Sequence, residues 1–462
     1  MRGASLENER FDVLVLGTGP VEALVASELS DQGHKVLHID RSPQYGGYHA
    51  ALSVSGFLKW ATSTRDRRQI PRVDIHAPAS PVASSEPLAI EVVEHAFANL
   101  ALNDRSYAIE LAPRLVRCRG KAIDVLVDAG VGDYMQFCAV DGNYIAGRDQ
   151  PLRRVPESKE DVFAATWLSL IEKRKLMRLL TLLSDASELP ADSDKPFAEW
   201  LADRPIALSG RLLDAIVYAV ARQGRRPLSA REGCEAVRRY VAAMGRYGRM
   251  AYLCAMYGGA SEAAQSFCRL CAVAGGTYIL DEKPSVAPSG DGVGFDVALR
   301  NGSAHVRSIV MDPTYAPDAE QSADPATTVA RALCIIDGAP LDASCSAAAL
   351  LSFVADGRAV SLLYMTDAAK TVPQGQAIVY AWIEGTLADS KSLLSEALEA
   401  VIGASDSVAC QPLLTAFYEV CELVPPSGPG IVYTDGPTAD IDFDSIIDSA
   451  QRALFATNIT LI

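Results

Sequence analysis

Residues 11–40 read FDVLVLGTGPVEALVASELSDQGHKVLHID, and this stretch decides the fold. Its first six residues form a largely apolar run, typical of a strand buried on both faces, which ends at Gly17-Thr18-Gly19. Apolar residues at helical spacing follow over residues 21–31, and a second apolar run over residues 35–39 ends in Asp40. The pattern predicts the strand–helix–strand unit of a dinucleotide-binding fold.

The glycine-rich turn departs from a working dinucleotide site at one position. In such a site a third glycine lets the helix pack closely, and the free N–H groups of the helix hold the diphosphate. Here the pattern is Gly17-x-Gly19-x-x-Glu22, so a carboxylate stands in the first helical turn near the place of the diphosphate. We therefore expect a degenerate turn kept as scaffold, with no flavin or nicotinamide cofactor. A functional flavin site is the alternative.

The rest of the chain alternates between helical and strand-forming patterns. Helical patterns dominate residues 120–233, which predicts a mostly helical domain inserted into a flavoprotein-like α/β sheet domain of residues 1–119 and 234–462. Outside the insertion strands outnumber helices, so we expect an added antiparallel sheet. Prolines and serines accumulate without periodicity over residues 70–86, which predicts a surface loop.

The composition narrows the classes of function. The 462 residues include 57 acidic and 42 basic side chains, which gives a formal net charge of −15. Because a field of that sign repels phosphate backbones and anionic lipids, we expect no nucleic-acid partner and only transient membrane contact. No uncharged apolar run is long enough to span a bilayer, and the first ten residues are polar, so the expected compartment is the cytosol.

Residues able to perform catalysis or to bind a metal do not cluster in the sequence. The six histidines show no metal-ligand spacing, and no nucleophile elbow or catalytic triad pattern is present. Cys268 and Cys271 form a single pair without the other ligands that zinc needs, so we expect them in the core. We expect the same of His38, within a strand. The sequence therefore predicts neither a metal site nor a catalytic site of its own.

Two blocks of the sequence resemble one known family. The first covers residues 13–22, 35–41 and 44–47, and the second covers residues 245–248, 257–258, 267–270 and 275–280. Both are similar to the signature regions of the Rab GDP-dissociation inhibitor and Rab escort protein superfamily. The resemblance implies a flavoprotein-like domain without flavin, a helical insertion, and a chaperone for Rab GTPases in their GDP form.

The resemblance also implies a Rab-binding platform. Its residues are Tyr45, Glu262, Arg269, Thr277, Tyr278 and Ile279. Glu262 and Arg269 are seven residues apart, so on one helix they share a face and can present opposite charges to a partner. Without the resemblance, an intramolecular ion pair or two solvated charges would be the preferred interpretation of these two residues. Tyr278 suits core packing and an interface equally well.

Within the superfamily, the run Val424-Pro425-Pro426-Ser427 is more similar to the escort proteins. The resemblance then implies a Rab escort protein, the non-catalytic accessory component of Rab geranylgeranyltransferase, with a role in vesicle-mediated transport. Its further partners are the catalytic heterodimer of that enzyme and the geranylgeranyl lipid of Rab. The resemblance implies that this lipid binds between helices of the insertion. Residues 168–183 of the insertion carry an apolar stripe at helical spacing. The alternatives are a Rab GDP-dissociation inhibitor that recycles prenylated Rab, and a flavin-dependent oxidoreductase.

Overall fold

The computed structural model describes residues 6–62, 69, 73–76, 100, 103–184, 194–203, 205–290, 292–322, 327–341, 345–404, 410–426, 428–436 and 438–457. The helices in these ranges are α1 (Pro20–Asp31), α2 (Val54–Thr62), α3 (Lys121–Asp128), α4 (Lys159–Ala164), α5 (Leu170–Ser184), α6 (Phe197–Ala202), α7 (Gly210–Asp214), α8 (Ala230–Ala243), α9 (Ala260–Val273), α10 (Leu387–Ile402) and α11 (Asp444–Ala456). A π-helical segment, Ala215–Val220, follows α7.

The strands in these ranges are β1 (Leu6–Leu16), β2 (Val36–Ile39), β3 (Ala51–Leu52), β4 (Val73–His76), β5 (Ile109–Glu110), β6 (Leu115–Arg117), β7 (Phe137–Gly147), β8 (Gln150–Arg154), β9 (Tyr252–Ala255), β10 (Thr277–Ile279), β11 (Ser285–Pro288), β12 (Phe295–Leu299), β13 (Gly302–Met311), β14 (Glu320–Gln321), β15 (Thr328–Asp337), β16 (Ala348–Ala355), β17 (Arg358–Thr366), β18 (Gln376–Glu384), β19 (Gln411–Cys421), β20 (Leu423–Val424) and β21 (Ile431–Tyr433).

The predicted strand–helix–strand unit is β1–α1–β2, at the centre of a seven-stranded sheet. The strand order is β10-β2-β1-β13-β12-β11, and β21 also pairs with β13. The pairs of β1 with β2 and with β13 are parallel. Val13 and Val15 face the same core as α1, whereas Leu14 and Leu16 face the core on the opposite side of the sheet. The prediction of a strand buried on both faces is therefore confirmed.

The second large sheet has ten strands in the order β4-β19-β15-β18-β17-β16-β7-β9-β6, with β8 beside β7. Its pairs are antiparallel except for β7 with β16. Leu387, Leu394 and Leu398 of α10 pack in the core that covers one face of this sheet. The added antiparallel sheet expected from the sequence is thus present, and it is larger than the nucleotide-type sheet.

Among the described residues of 120–233 helices are the main element, but this segment also supplies β7 and β8 to the ten-stranded sheet. β7 lies between β16 and β9 there, so this segment is tied to the rest of the molecule by strand pairing as well as by helix packing. Because helical patterns precede and follow β7 in the sequence, they did not indicate this strand. The boundaries 1–119, 120–233 and 234–462 stay a prediction.

The surface loop predicted for residues 70–86 is wrong for one part of that segment. Val73–His76 forms β4, which pairs with residues 415–418 of β19 at the edge of the ten-stranded sheet. Four residues are too few for periodicity to indicate a strand among prolines and serines. The remainder of the predicted loop lies outside the described residues.

Candidate functional site

The turn between β1 and α1 is filled by the side chain of Glu22. Gly17 adopts a left-handed backbone (φ 105°), and α1 begins at Pro20 directly after Gly19. The Glu22 carboxyl group folds back so closely that a methyl group on Gly19 would collide with its Oε2. Thr434 donates its hydroxyl to Oε1 at 2.5 Å. The carboxyl group therefore occupies the space at the helix N-terminus.

Burial holds Glu22 in its neutral form. The residue is 4% exposed, and its burial, followed by the charge of Asp312, raises its pKa from 4.5 to about 8. A diphosphate at this helix N-terminus would collide with the carboxyl atoms, and above that pKa it would also meet a negative charge. The residues of the turn therefore do not fit a bound dinucleotide.

Asp40, the acidic residue at the end of β2, is fully occupied by protein groups. In a dinucleotide site this residue accepts a hydrogen bond from a ribose hydroxyl. Here its Oδ2 accepts the backbone N–H and the hydroxyl of Thr18, at 2.8 and 2.5 Å. Its Oδ1 accepts the backbone N–H of Ser42 at 2.8 Å and the hydroxyl of Tyr315 at 3.0 Å. Asp40 therefore has a structural role in this turn, as Glu22 does, and its carboxylate is not available to a ribose hydroxyl.

Tyr45 and Tyr278 meet at the edge of the seven-stranded sheet. Tyr278 lies on β10, the outermost strand beside β2, and the Tyr45 ring stands edge-on 6.4 Å from the Tyr278 ring. The Gly17 carbonyl can only accept a hydrogen bond, so His38 donates to it from Nε2 and accepts the Tyr278 hydroxyl at Nδ1, at 2.9 Å. This bond fixes the hydroxyl end of Tyr278, while Tyr45 and Tyr278 both remain partly exposed.

His38 is a packed core residue, as predicted. It is fully buried on β2, and burial lowers its pKa from 6.5 to about 4. It therefore stays neutral at physiological pH and keeps the tautomer that the Gly17 carbonyl requires. Its neighbours on β10, Thr277 and Ile279, are partly exposed beside Tyr278.

Glu262 and Arg269 lie on one helix, α9, as the platform prediction requires. Arg269 is exposed, and its guanidinium lies over the ring of Tyr134, 4.6 Å from the ring centroid. Among the described residues no ion pair joins Arg269 to Glu262, because Glu262 is two turns away at the start of the helix. Tyr134 limits the orientations of the Arg269 guanidinium, while the N–H groups of the guanidinium remain accessible to a partner.

The start of α9 is built around two carboxyl groups. Glu110 is buried, accepts the backbone N–H of Ala260, and has its pKa raised to about 7 by burial. It lies so close to Gly259 (φ 55°) that a side chain there would overlap its carboxyl group. Burial also raises the pKa of Glu262. Gly46 in turn packs against Ser261, which places the Tyr45 loop beside the start of α9.

Cys268 and Cys271 face inward from α9, so their predicted core role is confirmed. Both are buried free thiols, and burial raises the pKa of Cys268 to about 12. The Cys271 thiol is 3.0 Å from the Ser30 hydroxyl of α1. These contacts fix the distance between α9 and α1, and therefore the position of Arg269 relative to the sheet edge.

The structure thus brings Tyr45, Glu262 and Tyr278 to one region, with Arg269 further along the same helix. Sequence reasoning did not identify Tyr134 or Glu110. The glycine pair Gly258-Gly259 signals a close approach of some group, but no local pattern says that the group is Glu110. Tyr134 stands 135 positions before Arg269, so only tertiary packing relates them.

The described ranges contain neither a metal-binding cluster nor a membrane-spanning helix. There, no three His, Cys, Asp or Glu side chains converge on a point that could hold a metal ion. In the same ranges, no helix combines the length and the apolar character that a membrane span requires. The edge of the seven-stranded sheet and α9 form the candidate site, because Tyr45, Tyr278 and Arg269 are accessible there, and these residue types suit a protein partner.

Solved structures with the same fold include proteins of two kinds. A Rab GDI from Plasmodium falciparum superposes with a TM-score of 0.74 at 17% identity, over 98% of each chain. An oxidoreductase from Methanosarcina mazei superposes with a TM-score of 0.59 at 13% identity, over 96% of this chain and 100% of that one. At these identities the likeness concerns the fold alone, and it confirms the predicted fold class.

Sequence relatives come from both branches of the predicted superfamily. The Rab proteins geranylgeranyltransferase component A of Drosophila melanogaster is 26% identical over 96% of this chain and 87% of its own length. Rab escort protein 1 of Arabidopsis thaliana is 27% identical, over 60% of this chain and 54% of its own length. The Rab GDP-dissociation inhibitor of Saccharomyces cerevisiae is 28% identical, over 71% and 68%.

The family prediction is confirmed by one further match. The model of the GDP dissociation inhibitor family matches residues 7–71 and 94–351, which include both blocks quoted above and more than two thirds of the chain. The chain belongs to the GDP dissociation inhibitor family.

Proposed function

We propose that this chain is a Rab escort protein. It binds Rab GTPases in their GDP form, presents them to the catalytic heterodimer of Rab geranylgeranyltransferase, and accompanies the lipidated product to membranes. It acts from the cytosol without a catalytic site of its own. The observation that carries the proposal is the platform of α9 and β10, which leaves a guanidinium and two tyrosine rings available on one surface of a family member.

The platform suits recognition of a folded protein. Tyrosine and arginine are the residue types enriched among the side chains that dominate interface energies. Tyr278 is held by His38 and Arg269 is supported by Tyr134, so little side-chain freedom is lost when a partner binds. The half-buried Glu262 adds an acceptor for a backbone N–H or a basic side chain.

A second surface suits the prenyltransferase. Phe163 at the end of α4 and Leu170 and Ile171 at the start of α5 are 71%, 74% and 65% exposed. Lys173 donates to the Phe163 carbonyl at 2.7 Å, which holds these two helix ends together. Exposed apolar side chains that gather in one place are typical of a protein interaction site. The resemblance to escort proteins also implies that the prenyltransferase docks on helices of the insertion, residues 120–233, to which α4 and α5 belong.

The geranylgeranyl lipid requires an opening between helices. Leu176, Leu179 and Leu183 of the α5 stripe are buried against the neighbouring helices. Shielding a lipid of about twenty carbons is worth several kcal/mol at roughly 25 cal/mol per Å². We therefore propose that α5 separates from a neighbouring helix when prenylated Rab binds, and that prenylated Rab binds more tightly than the unprenylated form.

The proposal is tested by reconstitution. The chain is added to the prenyltransferase catalytic heterodimer, unprenylated Rab·GDP and geranylgeranyl diphosphate, and lipid transfer to Rab is measured. We expect transfer that depends on this chain. Its absence, together with extraction of prenylated Rab from membranes, would identify a Rab GDP-dissociation inhibitor, which is the alternative.

Two variants test the prenyltransferase surface and the Rab-binding platform independently. Ile171→Asp is expected to abolish stimulation of transfer while Rab·GDP binding stays unchanged, and Arg269→Ala is expected to weaken Rab·GDP binding. Phe455→Asp, on the exposed face of α11, is the matched control, because Phe455 is 87% exposed outside both surfaces. Equal effects of Ile171→Asp and Phe455→Asp would contradict the assignment of the second surface.

A further inference from the structure

Two cysteines lie directly opposite each other on neighbouring strands of the ten-stranded sheet. Cys138 on β7 pairs with Cys254 on β9, and these two strands run antiparallel. Directly opposite residues of an antiparallel pair project from the same face of the sheet, and both cysteines pack against the same hydrophobic core. The Cys138 thiol donates to the backbone carbonyl of Cys254 at 3.7 Å. The two thiols are therefore close neighbours although 116 positions separate them in the sequence.

The spacing of the two strands suits a disulfide bond. The Cα atoms of opposite residues in an antiparallel pair are about 4.5–5.5 Å apart, and a disulfide requires about 4.4–6.8 Å. The Cβ atoms of such a pair are about 4.5–5.5 Å apart, whereas a disulfide holds them at about 3.8 Å. Closing the bond therefore draws the two strands together by about 1 Å and leaves their pairing intact.

Cys138 is the accessible and reactive member of this pair. It is partly exposed, whereas Cys254 is 2% exposed. Interaction with the Cys254 thiol lowers the pKa of Cys138, and the same interaction, followed by burial, raises the pKa of Cys254. The pair therefore loses its first proton at Cys138, and a thiolate is the form of cysteine that attacks a disulfide. Cys410, which is also partly exposed, has its pKa raised by burial.

Both strands of the pair lead into the Rab-binding platform. β7 begins three positions after Tyr134, whose ring lies under the Arg269 guanidinium. β9 is followed by the turn at Gly259 (φ 55°), where α9 begins and carries Arg269. The two segments stay paired beyond the strands, because the backbone N–H of Met256 donates to the Gln136 carbonyl at 2.8 Å. A movement of β9 against β7 therefore shifts α9 relative to Tyr134.

We propose that Cys138 and Cys254 form a reversible disulfide between β7 and β9, and that this bond weakens Rab·GDP binding by shifting α9 relative to Tyr134. The effect on Rab rests on the proposed function, whereas the disulfide itself does not. Disulfides of mesophilic cytosolic proteins are usually transient and redox-sensing. A bond that glutathione disulfide makes and glutathione breaks is of this kind.

The reaction is thiol–disulfide exchange with a small-molecule disulfide, here glutathione disulfide. The Cys138 thiolate attacks one sulfur atom of glutathione disulfide, which forms a mixed disulfide and releases one glutathione. The Cys254 thiol then gives up its proton and attacks the Cys138 sulfur, which forms the protein disulfide and releases the second glutathione. The two cysteines lose two electrons, glutathione disulfide gains them, and the two thiol protons end on the released glutathione molecules.

Peptide mapping of the full-length protein tests the disulfide. The protein is incubated with glutathione disulfide, its remaining thiols are alkylated, and its peptides are analysed by mass spectrometry without reduction. We expect a Cys138–Cys254 linkage, with the intact mass lower by two hydrogen atoms, and recovery of both thiols in excess glutathione. Fragmentation of the linked peptides assigns the sulfur atoms, because one tryptic peptide contains both Cys254 and Cys268. Glutathione that stays on Cys138, or no reaction at this pair, would overturn the proposal.

Three variants locate the linkage. Cys138→Ser and Cys254→Ser should each abolish it, whereas the matched control Cys410→Ser should keep it, because Cys410 is a partly exposed cysteine outside the pair. The same loss of mass in Cys138→Ser would overturn the assignment. If Cys254→Ser does not fold, because its serine is buried, Cys138→Ser at the partly exposed position decides.

Calorimetry of Rab·GDP binding tests the effect on the platform. We expect oxidised wild type to bind about threefold or more weakly than the reduced protein, since a shift of about 1 Å lengthens the hydrogen bonds that Arg269 makes. Cys138→Ser should bind equally well with and without oxidant. Equal affinities of oxidised and reduced wild type would overturn the coupling to Rab. Failure of the reduced protein to bind Rab·GDP would contradict the proposed function together with this coupling, while the peptide map still decides the disulfide.

Discussion

Replacing Glu22 by glutamine should stabilise the protein, and increasingly so as the pH rises. The pKa of Glu22 is about 8 in the folded protein, whereas the pKa of a solvated glutamate, as in the unfolded chain, is 4.5. Between these two pH values the folded state binds more protons than the unfolded state, so the contribution of Glu22 to stability falls as pH rises. That contribution is fully present below pH 4.5 and is lost by the time the pH passes about 8.

The magnitude follows from the width of that window. About 2.5 pH units separate 4.5 from neutral pH, and each unit corresponds to roughly 1.36 kcal/mol, so wild-type stability has lost about 3 kcal/mol at pH 7 relative to pH 4.5. Glutamine has the same shape, keeps an oxygen that accepts the Thr434 hydroxyl, and does not ionise. Glu22→Gln should therefore match the wild type near pH 4.5 and exceed it by about 3 kcal/mol at pH 7.

The assay is urea unfolding at pH 5, 6, 7 and 8, followed by tryptophan fluorescence. The matched control is Glu28→Gln on the exposed side of the same helix, where the carboxylate accepts the Gln32 side chain at 3.0 Å. Because that site is solvated, we expect a change of less than about 0.5 kcal/mol. Parallel pH profiles for the wild type and Glu22→Gln, or a less stable Glu22→Gln at pH 7, would refute the reasoning about the buried carboxyl group.

Three further outcomes are expected. Arg269→Ala should weaken Rab·GDP binding by about 1–3 kcal/mol in calorimetry while the unfolding temperature stays unchanged, and an unchanged affinity would place Arg269 outside the interface. The purified protein should lack the visible absorbance band of flavin, because Glu22 fills the diphosphate position, and stoichiometric flavin would contradict this expectation. Gly233→Ala should lower the free energy of unfolding by about 1–3 kcal/mol, because the added methyl group overlaps the buried Phe197 ring, and a stability equal to wild type would show that α6 and α8 separate at little cost.

The local elements of the first sheet could be predicted because their signal is local. The run over residues 11–16 is apolar on both faces, and a glycine turn and a helical pattern follow it, so β1, α1 and β2 were predicted as a unit. The same stretch contains Glu22 in place of a glycine, which indicates the degenerate turn before any contact is known. The order of the signature residues in two blocks was enough to indicate the family.

Strands with weak local patterns depended on tertiary pairing. β7 lies in a segment dominated by helices, and β4 lies among prolines, so neither has neighbours in sequence that reveal it. Each becomes a strand because a partner, β16 or β19, satisfies its backbone hydrogen bonds. Such pairing joins residues hundreds of positions apart, and periodicity within a short window carries no information about it.

The sequence by itself determined the nucleotide-type unit, the carboxyl group in its turn, and the residue types of the platform. Only the tertiary structure decided what those residues contact: Thr434 on Glu22, Tyr134 under Arg269, and His38 on Tyr278. The physical reason is that burial and hydrogen bonding depend on which distant segments meet. A side chain's identity limits the interactions it can make, whereas its pKa and its free N–H groups are set by the neighbours that folding brings to it.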